Sequence, residues 1–230
     1  MKTVGIIGGL GPETTSEFYL EVVFGCYEQN KGARPPILIW NIPLNYEIEQ
    51  NFLKNATGEE KYLPYLIAAA KKLEKGGADF IVMPCNSMHI FINEIRRAVK
   101  IPVLSIVEET AKFLKAKKIK RIGIIATSGS MKKRLYETPL EKRGIVVIKP
   151  NGLNQAKIGK IIGNLVMSRH ANTDREALLR IIDGFGDQNV RDVILACTDL
   201  QILIPHHEKI TIYDTMKIFA DATVKEILRQ

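Results

Sequence analysis

The chain has 230 residues, is 46% hydrophobic, and carries 33 Lys and Arg against 25 Asp and Glu for a formal charge of +8. That length accommodates two domains of about 100 residues each, and no uncharged apolar run reaches the roughly 18 residues of a membrane span. Three cysteines, an odd number without a close pair, argue against a disulfide framework and leave free thiols.

The opening run from Val4 to Leu10 is interrupted by Gly8 and Gly9 and closes on Gly11-Pro12. It is too short for a signal-peptide core and lacks a cleavage site, so a cytoplasmic location is expected. The run reads as a strand at 4–8 turning tightly into a helix at 13–27. A P-loop would end in G-K-[ST], which is absent, so the glycines are expected to bring backbone close to a small substrate, with Leu10 beside it. A strand at 37–41, a helix at 62–75, a strand at 80–83, a helix at 88–99 and a strand at 103–106 follow. A helix at 110–116 runs into the basic stretch KFLKAKKIKR, a solvated face that is also compatible with attracting an anionic substrate. No zinc-finger spacing or RNP pattern accompanies it, so no nucleic-acid partner is expected. Strands at 121–126 and 144–149, helices at 155–167 and 174–185, strands at 193–196 and 211–213 and a helix at 216–228 complete the chain. Most strands are continuous apolar runs, as parallel strands covered on both faces are. Alternating with helices, they predict a doubly wound α/β fold.

The chain also repeats itself. Val4-Gly5-Ile6-Ile7 recurs as Ile122-Gly123-Ile124-Ile125, and Phe80-Ile81-Val82-Met83-Pro84-Cys85-Asn86 matches Asp192-Val193-Ile194-Leu195-Ala196-Cys197-Thr198. A short strand follows each cysteine segment, Ile101 to Ser105 and Ile210 to Tyr213. Parallel strands resemble one another because Val and Ile dominate them, but three matches in one order favour a duplicated α/β unit. Two such units facing each other would set equivalent strand ends on either side of a shared cleft.

Cys85-Asn86-Ser87 and Cys197-Thr198-Asp199 each follow an apolar strand directly. Ligands bind at the carboxyl ends of strands in α/β sheets, and Asn, Ser, Thr and Asp there are good helix N-caps. A thiol at a helix N-terminus is acidified by the dipole, and the same N–H groups can hold a carboxylate. The alternative for any cysteine is a small buried hydrophobe. That reading is adopted for Cys26, inside an amphipathic segment; equivalent placement in two repeats favours chemistry for Cys85 and Cys197. Nothing resembles a C-x-x-C redox motif.

Over nearly its whole length the sequence resembles the aspartate/glutamate racemase family. The resemblance is carried by Gly5-Ile6-Ile7-Gly8-Gly9-Leu10-Gly11-Pro12, Met83-Pro84-Cys85-Asn86-Ser87-Met88-His89, Ala126-Thr127-Ser128-Gly129 and Ala196-Cys197-Thr198-Asp199. It implies two pseudo-symmetric α/β domains, each a parallel sheet flanked by helices, with the active site in the inter-domain cleft. The first would comprise residues 1–99 and 208–230, the second residues 100–207. It further implies a homodimer that acts on a small amino acid and needs no cofactor, neither pyridoxal phosphate nor a metal.

Inverting a stereocentre by proton exchange requires a base and an acid on opposite faces of the α-carbon. With each thiol at about 3.5 Å, the sulfurs would stand about 7 Å apart. One must be a thiolate while the other keeps its proton. By resemblance Cys85 and Cys197 are that catalytic pair, with Asn86, Ser87, Thr127, Thr198 and Asp199 binding the substrate and Leu10 lining it. Aspartate racemases of the family commonly carry an Arg after the second strand and a Lys on a second-domain helix. Here Ile48 and Val166 or Met167 occupy those positions, leaving Lys157, Arg134 and His89 as candidate partners for a side-chain carboxylate, although His89, a turn into the helix after Cys85, reads first as structural. Asp199 stands where Glu is commoner. Aspartate or glutamate are the leading substrates. A hydantoin racemase, a maleate isomerase, a decarboxylase and a non-catalytic carboxylate-binding protein are the alternatives.

Overall fold

The first strand, β1 (Val4–Gly8), is buried at every position, because it has parallel neighbours on both sides. β2 (Ile37–Asn41) pairs along one edge and β3 (Phe80–Val82) along the other, in the order β2-β1-β3. The computed structural model describes residues 1–55, 57–204 and 206–229. The chain divides into two compact units, Met1–Glu109 with Met216–Gln230, and Thr110–Thr215. In the first unit the helices are α1 (Pro12–Gln29), α2 (Tyr46–Asn55), α3 (Leu63–Lys75), α4 (Ile92–Ala98) and the start of α5 (Ile106–Ala116). Pro12 opens α1 at a position where its missing N–H costs nothing. The core packs Ile7 and Ile81 against Leu66, Ala69 and Ala70 of α3 and Ile95 of α4.

The second unit repeats the plan with one strand more. β4 (Arg121–Ala126), β5 (Val146–Ile148), β6 (Asp192–Ala196) and β7 (Thr211–Asp214) form an all-parallel sheet in the order β5-β4-β6-β7. The short helices α6 (Ser128–Lys132) and α7 (Glu137–Glu141) precede β5, and α8 (Gly152–Val166) and α9 (Asn172–Gly186) precede β6. Ile158, Ile162, Ile182 and Phe185 of the two long helices bury the strands. α10 (Thr215–Leu228) then returns the chain to the first unit. There Lys2 N–H donates to the Ile227 carbonyl at 2.9 Å, the Lys2 ammonium pairs with Glu226, and Phe219 stacks 5.6 Å from Phe18.

The internal repeat has a structural counterpart. Gly5 sits in the central strand beside Ile81, and Gly123 sits in the central strand beside Val193. Both glycines allow close packing: a Cβ on Gly5 would lie 3.0 Å from that of Ala78, and one on Gly123 would lie 2.9 Å from Phe185 and from Val193.

Several expected elements differ. The strand at 103–106 is reduced to a single parallel bridge between Val103 and Ile81. Pro102 has no N–H to extend the ladder, and the chain is already helical at Ile106, so α5 starts four residues before the helix expected at 110–116. The helix at 88–99 begins as a 3-10 turn, Ser87–Phe91, before α4. β5 is shorter than the expected 144–149, because Gly144 makes a left-handed turn at φ 74°. α2, α6 and α7 were not foreseen from the pattern. No helix among the described residues is long and apolar enough to cross a membrane.

Candidate active site

Cys85 follows the fully buried strand β3 by way of Met83 and Pro84. Proline cannot continue the ladder, so the chain turns here, and Cys85 N–H donates to the Met83 carbonyl at 2.8 Å. The thiol is half-buried, Asn86 is buried, and Ser87 is half-buried at the start of the 3-10 turn. Leu10 lies just past the end of β1, so it and the cysteine motif occupy the carboxyl ends of adjacent parallel strands. Gly9, at φ 85°, allows the turn between them: a Cβ there would come within 2.7 Å of the Asn41 side chain. Thr15 locks the same turn, accepting from Gly9 N–H at 3.0 Å and donating to the Gly11 carbonyl at 2.9 Å.

His89 lies four residues beyond the thiol and is 2% exposed. Nδ1 is 2.8 Å from the Cys85 carbonyl, while Nε2 accepts the N–H of Ile106 at 3.1 Å. Since Nε2 must be the acceptor, the proton resides on Nδ1 and is donated to Cys85. Burial pulls the imidazole down to about 4, despite the opposing hydrogen bond to Cys85. The ring is therefore neutral at ordinary pH. Its edge meets Phe219 at 6.2 Å. Tyr62, buried nearby, has its hydroxyl pushed well above the usual range, chiefly by burial and further by the charges of Glu49 and Cys85.

In the second unit Cys197 follows β6 and is 7% exposed. Its thiol donates to Oδ2 of Asp199 at 3.6 Å. A hydrogen bond to a carboxylate favours the protonated form of its donor. Thr198 is buried between them. Tyr136 is fully buried, and its hydroxyl is pushed up by burial most of all and also by the charges of Asp214 and Cys197. Thr127, just past the adjacent strand β4, caps α6 by accepting from Ser130 N–H at 3.2 Å. Gln155 of α8 braces that strand end, donating to the Ala126 carbonyl at 3.0 Å.

The predicted residues thus gather in two sets, Leu10, Cys85, Asn86 and Ser87 in the first unit, and Thr127, Cys197, Thr198 and Asp199 in the second. Two expectations need correction. Neither cysteine leads directly into a regular helix: five residues of 3-10 turn stand between Asn86 and α4, three residues of 3-10 turn follow Asp199, and neither Asn86 nor Asp199 caps with its side chain. One short turn carries little macrodipole. Nor is His89 available to a substrate carboxylate: both its nitrogens are engaged in the interior, in keeping with the structural reading of this residue. Arg134 is paired with Glu141 at 2.6 Å, and Lys157 is exposed on α8. Cys26 is buried within α1 as expected, its thiol pushed up by burial. Tyr62 and Tyr136 escaped the sequence reading, since no local pattern links them to the cysteines whose charges they feel.

Comparison with known proteins gives a consistent result. A family model described as Asp/Glu/Hydantoin racemase matches residues 7–223. The chain is 30% identical over 234 residues to the broad specificity amino-acid racemase RacX of Bacillus subtilis (strain 168), covering 98% of each. Among solved structures it superposes on a candidate Asp/Glu racemase from Yersinia pestis with a TM-score of 0.87, 30% identity and full coverage of both chains. The aspartate racemase of Picrophilus torridus gives a TM-score of 0.80 at 25% identity, over 99% of this chain and 94% of that one.

Proposed function

This chain belongs to the Asp/Glu/hydantoin racemase family, a family of isomerases, and from that premise we propose that it interconverts the L- and D-forms of a small amino acid with Cys85 and Cys197 as its two acid/base groups. The observation that carries this reading is positional equivalence. Each thiol follows the same strand of a repeated parallel sheet, at the end where such sheets bind ligands.

The chemistry follows from proton bookkeeping. A thiolate removes the α-proton from one face, and the electron pair left behind delocalises into the substrate carboxylate. The second thiol then delivers its proton to the opposite face, so the two sulfurs exchange protonation states as the carbon inverts. With its S–H donated to Asp199, Cys197 is ready as the acid, which gives Cys85 the role of base in that direction. The reverse direction exchanges the roles. Asn86, Ser87, Thr127 and Thr198 supply fixed dipoles for the charge that develops on the carboxylate. No pyridoxal phosphate or metal takes part in this scheme.

Aspartate and glutamate are the leading substrates, with tolerance for other side chains. Ile48 packs on the first core and Val166 on the second, where the family's aspartate enzymes commonly place cations. A side-chain carboxylate therefore finds less charge here to select it. The broad specificity named for the Bacillus subtilis relative supports the same view.

The test is α-proton exchange in deuterated water, followed for each enantiomer of a panel of amino acids. Cys85→Ala and Cys197→Ala should each lower inversion by about 10²- to 10⁴-fold or more, while Cys26→Ala should leave it nearly intact. Inversion persisting in either of the first two would remove that cysteine from the mechanism. Binding without exchange would instead indicate a carboxylate-binding protein.

A further inference from the structure

We infer that His89 is a positioning residue for the Cys85 thiol, fixing the peptide plane that follows it through a buried bridge to the first residue of α5. This deepens the two-thiol reading and rests on it. The bridge has two ends. Nδ1–H holds the Cys85 carbonyl at 2.8 Å, and Nε2 holds the Ile106 N–H at 3.1 Å. Ile106 is the opening residue of α5, where backbone N–H groups have no partner within the helix. The imidazole thus satisfies an orphan donor with one nitrogen and aims the cysteine carbonyl with the other.

The consequence follows from peptide geometry. In a trans peptide the C=O of Cys85 and the N–H of Asn86 point in opposite directions. Drawing the carbonyl onto His89 therefore turns the Asn86 N–H away from the imidazole. That amide adjoins the reactive sulfur and is among the donors assigned to the substrate carboxylate. His89 therefore sets its direction without touching substrate.

The surroundings keep the ring from turning. Phe219 packs edge-on against it. Arg96 ties down the segment on either side of Ile106, donating to the Val103 carbonyl at 3.1 Å and 3.0 Å and to both oxygens of Glu108 at 2.8 Å and 2.9 Å. The segment that delivers Ile106 is held in register with β3 by Leu104 N–H donating to Ile81 at 2.9 Å. A ring so confined can hold a peptide plane; a surface histidine four residues from a thiol could not.

Two variants separate the two ends of the bridge. In His89→Asn the amide nitrogen occupies the place of Nδ1 and keeps the donor to Cys85, while the contact to Ile106 is lost. In His89→Gln the amide reaches the place of Nε2 and keeps the contact to Ile106, while the donor to Cys85 is lost. Two readouts are taken, each referred to the folded fraction from a thermal melt. The first is racemisation, split into kcat and KM, in the otherwise native chain. The second is the rate of Cys85 alkylation by iodoacetamide at fixed pH, in a Cys26→Ala, Cys197→Ala background where it is the sole thiol. His89→Asn should stay within about threefold of the parent in both, and His89→Gln should lose about 10- to 100-fold in kcat with KM little changed, and should alter the alkylation rate. Equal damage in the two variants, or an alkylation rate indifferent to His89→Gln, would overturn the inference. If His89→Gln does not fold, His89→Asn decides alone: parental rates support the assignment, and a tenfold loss rejects it. Racemisation that survives Cys85→Ala would refute the two-thiol scheme, while alkylation would still report on His89.

Discussion

At the scale of single residues, the two cysteines share a position but not an environment. Cys197 is buried and donates a hydrogen bond to Asp199, whereas Cys85 is half-buried, with Ser87 at the equivalent place. A two-base exchange needs one thiol protonated while the other is not, and the Asp199 carboxylate beside Cys197 supplies a bias toward its protonated form. Asp199→Asn removes the ionised acceptor, so Cys197 should ionise more readily. Its alkylation at fixed pH, measured in a Cys26→Ala, Cys85→Ala background, should become faster, and kcat in the otherwise native chain should fall by about tenfold. Slower alkylation would mean that Asp199 does not hold the proton. The motif Cys197-Thr198-Asp199 was legible in the sequence, but the contact between its first and third side chains was not. Two residues apart in a strand-to-turn segment, they can face each other or diverge, and only the backbone path decides.

At the scale of elements, the short turns matter more than the long helices. The helix expected at 88–99 opens as a 3-10 turn that runs into α4, and His89 of that turn links it to α5. That link has a pH signature. The imidazole is lowered from 6.5 to about 4 by burial, so between those values the unfolded chain binds a proton that the folded chain does not. Stability must then rise with pH across that window, and fall as the solution is acidified from pH 6.5 towards 4. The two-and-a-half-unit difference corresponds to about 3 kcal/mol, and His89→Asn should lose this component. Urea denaturation at pH 7 and pH 4 for both proteins measures it; an equal acid loss in the variant would show that other groups carry the effect.

At the scale of the whole molecule, the chain closes the first unit with its last helix. Phe219 of α10 is fully buried, stacks on Phe18 of α1 and meets the ring of His89. The C-terminal segment thus backs both the first helix and the bridge behind Cys85. Phe219→Ala should cost about 3 to 5 kcal/mol by leaving a cavity at that junction. Denaturant unfolding monitored through Trp40, in the first unit, would register it. A loss below about 1 kcal/mol would mean that α10 packs less tightly than its burial implies.

The sequence by itself determined the parallel α/β character, most strand positions, the duplication and the two cysteine motifs. These are properties of local runs, in which apolar continuity and turn chemistry act within a few residues. Tertiary structure alone decided that residues 103–106 make a single bridge, that Tyr62 feels the charge of one cysteine and Tyr136 that of the other, and which backbone groups the two nitrogens of His89 hold. Those outcomes depend on which nitrogen meets which backbone group across segments far apart in sequence. Periodicity carries no information about such pairings, because burial and hydrogen bonding are settled by neighbours that only the folded chain supplies.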